Sequence, residues 1–239
     1  GSYLNTIPTG ALSNLEGATN NLPATDTLVV TSPFFSLGNR VWFDTDNSAT
    51  LNGTENGING VTVQLYAADG SGNPTGAVLG TQATANGGYY RFDNLPAGDY
   101  VAMIPASQFG AGGVLDGYWS SSTTISGTGV VSETAAPDPD NNTDNDDNGT
   151  LQTAGAFNGA VISSAVTLGP SNNEPTTDTD ADPTNPAGEA VNNQSNRTVD
   201  FGFYRAELSN QIFADVNSNG TYDAGDIGIA GATVQLYAS

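Results

Sequence analysis

A chain of 239 residues with 25 Asp and Glu against four arginines has a formal charge of −21, and it contains no lysine, histidine or cysteine. Repulsion over the whole surface disfavours nucleic acid and anionic bilayers as partners, and the composition leaves no imidazole base, thiolate, usual zinc site, disulfide or Lys–Asn isopeptide crosslink. No apolar stretch approaches the ~18 residues of a spanning helix and no basic-then-apolar leader opens the chain, so the sequence reads as a mature protein or a piece of one, without membrane insertion.

Residues 1–35 are rich in Asn, Thr, Ser and Leu and read as an N-terminal extension or linker, with strand character only at Thr27-Leu28-Val29-Val30-Thr31. After Leu37, β-branched and aromatic runs alternate with turn clusters: Val41-Trp42-Phe43, Val61-Thr62-Val63-Gln64-Leu65-Tyr66-Ala67, Gly88-Tyr89-Tyr90-Arg91-Phe92 and Asp99-Tyr100-Val101-Ala102-Met103-Ile104. Val61, Val63 and Leu65 share one face and Thr62, Gln64 and Tyr66 the other, the period of a half-buried strand. Asn86-Gly87-Gly88 and Leu95-Pro96-Ala97-Gly98 supply turn chemistry. Thirty glycines and 12 prolines oppose helices, and the predicted fold is an all-β sandwich. Trp42 and Trp119 read as core or rim aromatics.

Two acidic stretches follow. Residues 133–150 hold Glu133, Asp138, Asp140, Asp144, Asp146 and Asp147; residues 174–189 hold Glu174, Asp178, Asp180, Asp182 and Glu189. Eleven of the 25 acids thus lie in 34 residues. Arg197-Thr198-Val199-Asp200-Phe201-Gly202-Phe203-Tyr204 reads as a closing strand. Residues 37–67 then align without gaps on residues 208–238, at an offset of 171, with 13 of 31 positions identical. The copy stops after its expected second strand, and a lone hairpin is marginal in water.

The connection between the first two strands of each copy carries the chemistry. Asp215, Asn217, Asn219, Thr221, Asp223 and Asp226 occupy positions 1, 3, 5, 7, 9 and 12 of a loop with Gly220 at position 6, the spacing of an EF-hand calcium loop. Alternate side chains turn inward around one cation, the glycine permits the sharp bend, and the last acid closes the sphere. The flanks, Gln211-Ile212-Phe213 and Ala232-Thr233-Val234, read as strands rather than helices. In the first copy Asp44, Asp46, Ser48, Thr50, Asn52 and Glu55 fill the same positions and Ala49 replaces the glycine. A metal-free Asx-rich turn is the alternative.

Asp144-Asn145-Asp146-Asp147-Asn148-Gly149 and Asp178-Thr179-Asp180-Ala181-Asp182 also place carboxylates at alternate positions. Two charges 4 Å apart repel by about 4 kcal/mol at an effective dielectric near 20. An ordered loop of this density calls for a counterion, and one expectation is that the two stretches fold together around one or two further Ca²⁺ ions. A solvated acidic linker is the other. No pair of acids is singled out for glycosidase work, which needs two carboxyls held across a cleft.

Leu37-Gly38-Asn39-Arg40-Val41-Trp42-Phe43-Asp44, the calcium-type loop, Gly57-Ile58-Asn59-Gly60-Val61-Thr62-Val63, the run from Gly88 to Val101 and Val199-Asp200-Phe201-Gly202-Phe203-Tyr204 together resemble the SdrD B-like domains, within the Cna-B, prealbumin-like group of bacterial surface proteins. The resemblance covers residues 36–205 as one domain and begins again in residues 206–239 as an incomplete second repeat. It implies a Greek-key β-sandwich acting as a rigid stalk or spacer, and several Ca²⁺ ions. One ion carries over to Asp44, Asp46, Ser48, Asn52 and Glu55, while Asp138, Asp140, Asp144, Asp146 and Asp147 resemble further ligands. Many Cna-B relatives lock themselves with an isopeptide bond, which a lysine-free chain cannot form. The inserts between Trp119 and Val199, and residues 1–35, depart from the family pattern.

The expected function is a non-enzymatic, extracellular, bacterial cell-surface module stiffened by Ca²⁺, repeating in tandem or polymerising with copies of itself. Residues 206–239 would exchange strands with a neighbouring chain, near Thr27–Thr31, or simply begin the next repeat. An adhesin that binds a protein or glycan ligand is the alternative.

Overall fold

The computed structural model describes residues 2–7, 24–29, 34–128, 130–140, 144–169, 174–175, 194–206 and 210–237. The chain divides into two compact units, residues 1–205 and 206–239. The strands of the first are β1 (Ser2–Ile7), β2 (Ala24–Val29), β3 (Phe35–Phe43), β4 (Thr62–Ala68), β5 (Pro74–Ala83), β6 (Tyr89–Leu95), β7 (Gly98–Ile104), β8 (Trp119–Ser120), β9 (Thr124–Ile125), β10 (Val131–Ser132), β11 (Gly149–Leu151), β12 (Val161–Ser163), β13 (Val166–Leu168), β14 (Ser195–Asn196) and β15 (Phe201–Tyr204).

Two sheets form the sandwich. The first runs β11-β12-β7-β4-β5, with β13 also on β7, and every pair in it is antiparallel. The second is built on β3, which pairs antiparallel with β6 and parallel with both β14 and β15; β8 adds antiparallel to β15. Chain order and spatial order differ in both sheets, as the Greek-key reading requires.

The alternation seen in the sequence decides which way β4 faces. Val63 and Leu65 turn inward with Val61, against Phe35, Leu37, Val41, Phe92, Phe201 and Phe203 of the opposite sheet, all buried. Full burial of each such side chain contributes about 1.5–3 kcal/mol. The other face of β4 is covered too. Tyr66 packs with Val101, Met103 and Ile162 under Phe157, whose ring meets Tyr66 edge-on at 5.6 Å. Two tyrosines fasten corners of the fold: Tyr100 donates to Pro96 O and Tyr90 to Val199 O, both at 2.7 Å. Trp42 is wholly buried and Trp119 partly so.

The strand foreseen at 27–31 is present as β2 and ends at Val29; residues 30 and 31 lie outside the described residues. Its antiparallel partner β1 was not foreseen, since Ser2–Ile7 carries little apolar alternation.

The second unit holds β16 (Phe213–Ala214) and β17 (Ile227–Gly228), paired antiparallel at the base of its loop. Here the expectation needs correcting. Gln211 and Ile212 are not in a strand, and Ala232-Thr233-Val234 forms none. Val234 and Leu236 are 74% and 82% exposed, whereas the same residues of the first copy, Val63 and Leu65, are 0% and 1% exposed. The hexapeptide Thr-Val-Gln-Leu-Tyr-Ala is shared; what differs is that β4 lies between β5 and β7. Cross-strand pairing, more than intrinsic propensity, makes the strand.

Candidate metal centre

Buried apolar residues fix the base of the loop at 44–55. Trp42 bridges Gly57, Ile58 N–H donates to Val41 O at 2.8 Å, and Phe43 N–H donates to Asn56 O at 2.8 Å. Asp44 follows directly on β3, and its N–H donates to Phe203 O at 2.8 Å. Its carboxylate is fully buried and organises the turn: Oδ1 accepts Ser48 N–H at 3.1 Å and Oδ2 accepts Ala49 N–H at 2.8 Å. Asp46 Oδ1 accepts Ser48 N–H at 3.1 Å. Glu55 closes the loop, Oε1 accepting Thr45 N–H at 2.7 Å and Oε2 accepting Asn52 N–H at 2.9 Å.

Residues 215–226 repeat this pattern bond for bond. Asp215 takes Asn219 N–H at 3.1 Å and Gly220 N–H at 2.7 Å; Asn217 Oδ1 takes Asn219 N–H at 3.1 Å. Asp226, one methylene shorter than Glu55, still accepts Val216 N–H at 2.9 Å and Asp223 N–H at 3.0 Å. Position 6 explains the glycine of the motif. Gly220 has φ 77°, and Ala49 adopts the same left-handed conformation at φ 57°, which costs an L-residue roughly 1–2 kcal/mol. The first loop keeps the geometry and bears that cost.

Inside the first loop the oxygens converge. Carboxylate oxygens of Asp44, Asp46 and Glu55 lie within 4.8 Å of one another, the one such triple among the described residues. Asn52 Nδ2 donates to Ser48 Oγ at 3.0 Å, Thr50 O at 3.2 Å and Asp46 Oδ2 at 3.5 Å, so the positive end of an amide faces three of the acceptors. In the second loop Asn217 and Asn219 turn their amides to Asp223 in the same way, and Asn217 stands where the first loop has a carboxylate. The Ser48 hydroxyl, helped by the Asn52 amide, holds Asp46 below the usual carboxylate range against the opposing effect of burial. Three carboxylates, a hydroxyl and a carbonyl form a donor set of hard oxygens. It fits Ca²⁺ and gives no ligand suited to soft metals.

The first acidic stretch lies along the back of this loop. Leu51 N–H donates to Asn145 O at 2.8 Å, Asp147 N–H to Ala49 O at 3.0 Å, and Thr50 bridges Asp146. Its carboxylates bind protein groups: Asp138 takes Asp140 N–H at 3.0 Å, Asp140 takes Thr167 N–H at 2.9 Å, and Asp144 takes Asn39 Nδ2 at 3.1 Å. Asp146 takes Asn148 Nδ2 at 3.2 Å, and Asp147 Oδ1 takes the Gly149 and Gly202 N–H groups at 3.0 Å each. Burial raises the pKa of Asp140, Asp146 and Glu133 and lifts Asp147 well above the carboxylate range. Of the second stretch, Glu174 is buried and accepts Gly169 N–H at 3.1 Å; Asp178, Asp180 and Asp182 lie outside the described residues.

Sequence reasoning singled out neither Asn39 nor Asp200 as a site residue. Asp200 is fully buried, taking Arg40 N–H at 3.0 Å and, with Asp144, the Asn39 amide. The available signal was an acid inside an apolar closing strand, between Val199 and Phe201.

A family model for the SdrD B-like domain matches residues 35–158. The serine-aspartate repeat-containing protein I of Staphylococcus saprophyticus is 40% identical over 95 residues, 40% of this chain and 4% of that protein. The serine-aspartate repeat-containing protein C of Staphylococcus aureus (strain MRSA252) is 41% identical over 73 residues, 30% of this chain and 7% of that protein. The chain therefore matches only a small part of the length of these relatives.

Proposed function

Because the chain belongs to the SdrD B-like domain family, we propose that it is a non-enzymatic, extracellular, cell-surface structural module whose loops bind Ca²⁺ and whose sandwich repeats along a stalk, fibre or matrix. The observation that carries this reading is the convergence of Asp44, Asp46 and Glu55 within 4.8 Å. The hydrogen-bond pattern of that loop recurs at 215–226 with different side chains, which supports reading both as one kind of loop. Ca²⁺ there joins Asp44, rooted in the sandwich, to Asp46 and Glu55, and so removes both the carboxylate repulsion and the freedom of the loop. An extracellular module needs affinities of only about 10⁻⁴–10⁻³ M. Neighbouring copies of the chain are the partners, in tandem or head to tail.

Limited proteolysis of the full chain with excess Ca²⁺ and with EGTA tests the calcium role. Cleavage within 44–55 and 215–226 should appear only with chelator. An identical digest in both conditions would remove calcium from the function. A second reading, adhesion, draws on a cleft of about 330 Å³ lined by Phe109, Tyr118, Trp119, Leu151 and Val161. Quenching of tryptophan fluorescence on a glycan or peptide array, undiminished in Glu55→Gln, would favour it.

A further inference from the structure

An asparagine followed by glycine loses its side-chain amide more readily than other asparagines, because the unhindered glycine nitrogen reaches the side-chain carbonyl carbon. The chain holds seven such pairs. Reaction needs a glycine N–H that no acceptor holds and a backbone free to turn. Five of the seven fail on the first count. Gly60 N–H donates to Thr84 O at 2.7 Å, Gly87 N–H to Asn59 Oδ1 at 2.9 Å and Gly149 N–H to Asp147 Oδ1 at 3.0 Å. Gly159 N–H donates to Gln152 O at 2.7 Å and Gly220 N–H to Asp215 Oδ2 at 2.7 Å.

Gly57 fails on the second. Its backbone lies so close to Gly87 and Gly88 that a Cβ would stand 1.5 Å from Gly87 O. The bonds from Phe43 N–H to Asn56 O and from Ile58 N–H to Val41 O, 2.8 Å each, hold it on both sides. Gly53 passes both. It is exposed at φ 55°, nothing lies within 4 Å of where its Cβ would be, and among the described residues its N–H has no acceptor. Asn52 is exposed as well, and its backbone N–H and C=O both go to Glu55, at 2.9 and 3.2 Å. Position matters as much as access. Asn52 is ninth in its loop, where the second copy has Asp223, and its Nδ2 points at Ser48 Oγ, Thr50 O and Asp46 Oδ2.

We propose that Asn52 is a site of spontaneous deamidation, by which the first loop exchanges an amide donor for a fourth carboxylate. The Gly53 nitrogen, its proton taken by hydroxide, bonds to Asn52 Cγ. The bond from Cγ to Nδ2 breaks, and the departing nitrogen takes a proton from water and leaves as ammonia. A water molecule then opens the imide. Opening at Cγ gives aspartate; opening at the main-chain carbonyl gives isoaspartate, which lengthens the backbone by one methylene. The balance is one water consumed and one ammonia released. The aspartate product carries at position 9 the carboxylate that Asp223 carries in the second copy, and it presents oxygen to the centre of the loop where an N–H now points. What this does for Ca²⁺ rests on the loop reading above; the reaction itself does not.

Peptide mapping by mass spectrometry follows the full chain through incubation in mildly alkaline buffer with EGTA, with electron-transfer fragmentation to tell aspartate from isoaspartate. A parallel sample in urea gives the rate of each pair without the fold. In the folded chain Asn52 should react at close to its rate in urea, and the other six pairs at least about tenfold more slowly than theirs. Protection of Asn52 equal to that of the other six would overturn the proposal, as would faster loss at any of them. The consequence is read separately, by calorimetric titration of Asn52→Asp with Ca²⁺. The added ligand charge should tighten binding about tenfold over freshly prepared wild type, and equal affinity would refute the gain at the loop. Binding by neither protein would remove the calcium reading and leave the modification standing on the mass data.

Discussion

Replacing Glu55 by Gln tests the loop with the least disturbance elsewhere. The amide keeps an oxygen for Thr45 or Asn52 but loses one of the acceptors that now hold both at 2.7 and 2.9 Å, and it removes one charge from a triple within 4.8 Å. At 4.8 Å two carboxylates repel by about 3.5 kcal/mol at an effective dielectric near 20, less where water screens Glu55. In chelator the substitution should therefore cost little. In Ca²⁺ the outcome differs. With a dissociation constant of about 10⁻⁴–10⁻³ M, 10 mM free Ca²⁺ stabilises the folded chain by roughly 1.4–2.7 kcal/mol per site. For a unit of this size that is a rise in Tm of about 3–11 °C. Differential scanning calorimetry of wild type and Glu55→Gln, each with EGTA and with 10 mM Ca²⁺, should show most of that rise in the wild type alone. Equal rises in both proteins, or none in the wild type, would refute the assignment.

Ala49→Gly should raise stability by about 1 kcal/mol in urea unfolding, because the left-handed strain released at φ 57° exceeds the added chain entropy of glycine. Phe201→Ala, in the middle of the core, should lose about 3–5 kcal/mol, read as a lower urea midpoint. Burial raises Glu133 and Asp147 in the folded chain. The folded state therefore binds these protons at higher pH than the unfolded one, and stability falls as pH rises through the folded values. In EGTA, Tm should increase as pH falls through the folded values of these two carboxyls. A flat profile in EGTA would contradict the burial of these carboxyls.

Much of this architecture was legible in local patterns. The alternation of Val61, Val63 and Leu65 orients β4, and the spacing from Asp44 to Glu55 identifies the loop, because both are set by neighbours a few residues apart. What was not legible depends on distant chain. Tyr66 is covered by Phe157, Asn39 meets Asp200, and Asp147 reaches Gly202; no periodicity encodes such meetings. The segment around Val234 shows the converse error, since its strand-like sequence has no paired neighbour to realise it. Asp147 looks in sequence like one more loop acid, but its Oδ1 is taken by two backbone amides.

The direction of β15 beside β3 determines how a string of such modules would meet tension. The two strands run the same way, with Val41, Trp42 and Phe43 level with Phe201, Gly202 and Phe203. Load applied before Phe35 and after Tyr204 therefore drags the strands past each other lengthwise. The bonds between them, with the Asp44-to-Phe203 bond at their end, must yield together instead of peeling one by one. A tether built on that geometry resists extension abruptly and fails at high force, and the acidic turn just beyond Phe43 sits at the end of the joint where sliding would begin.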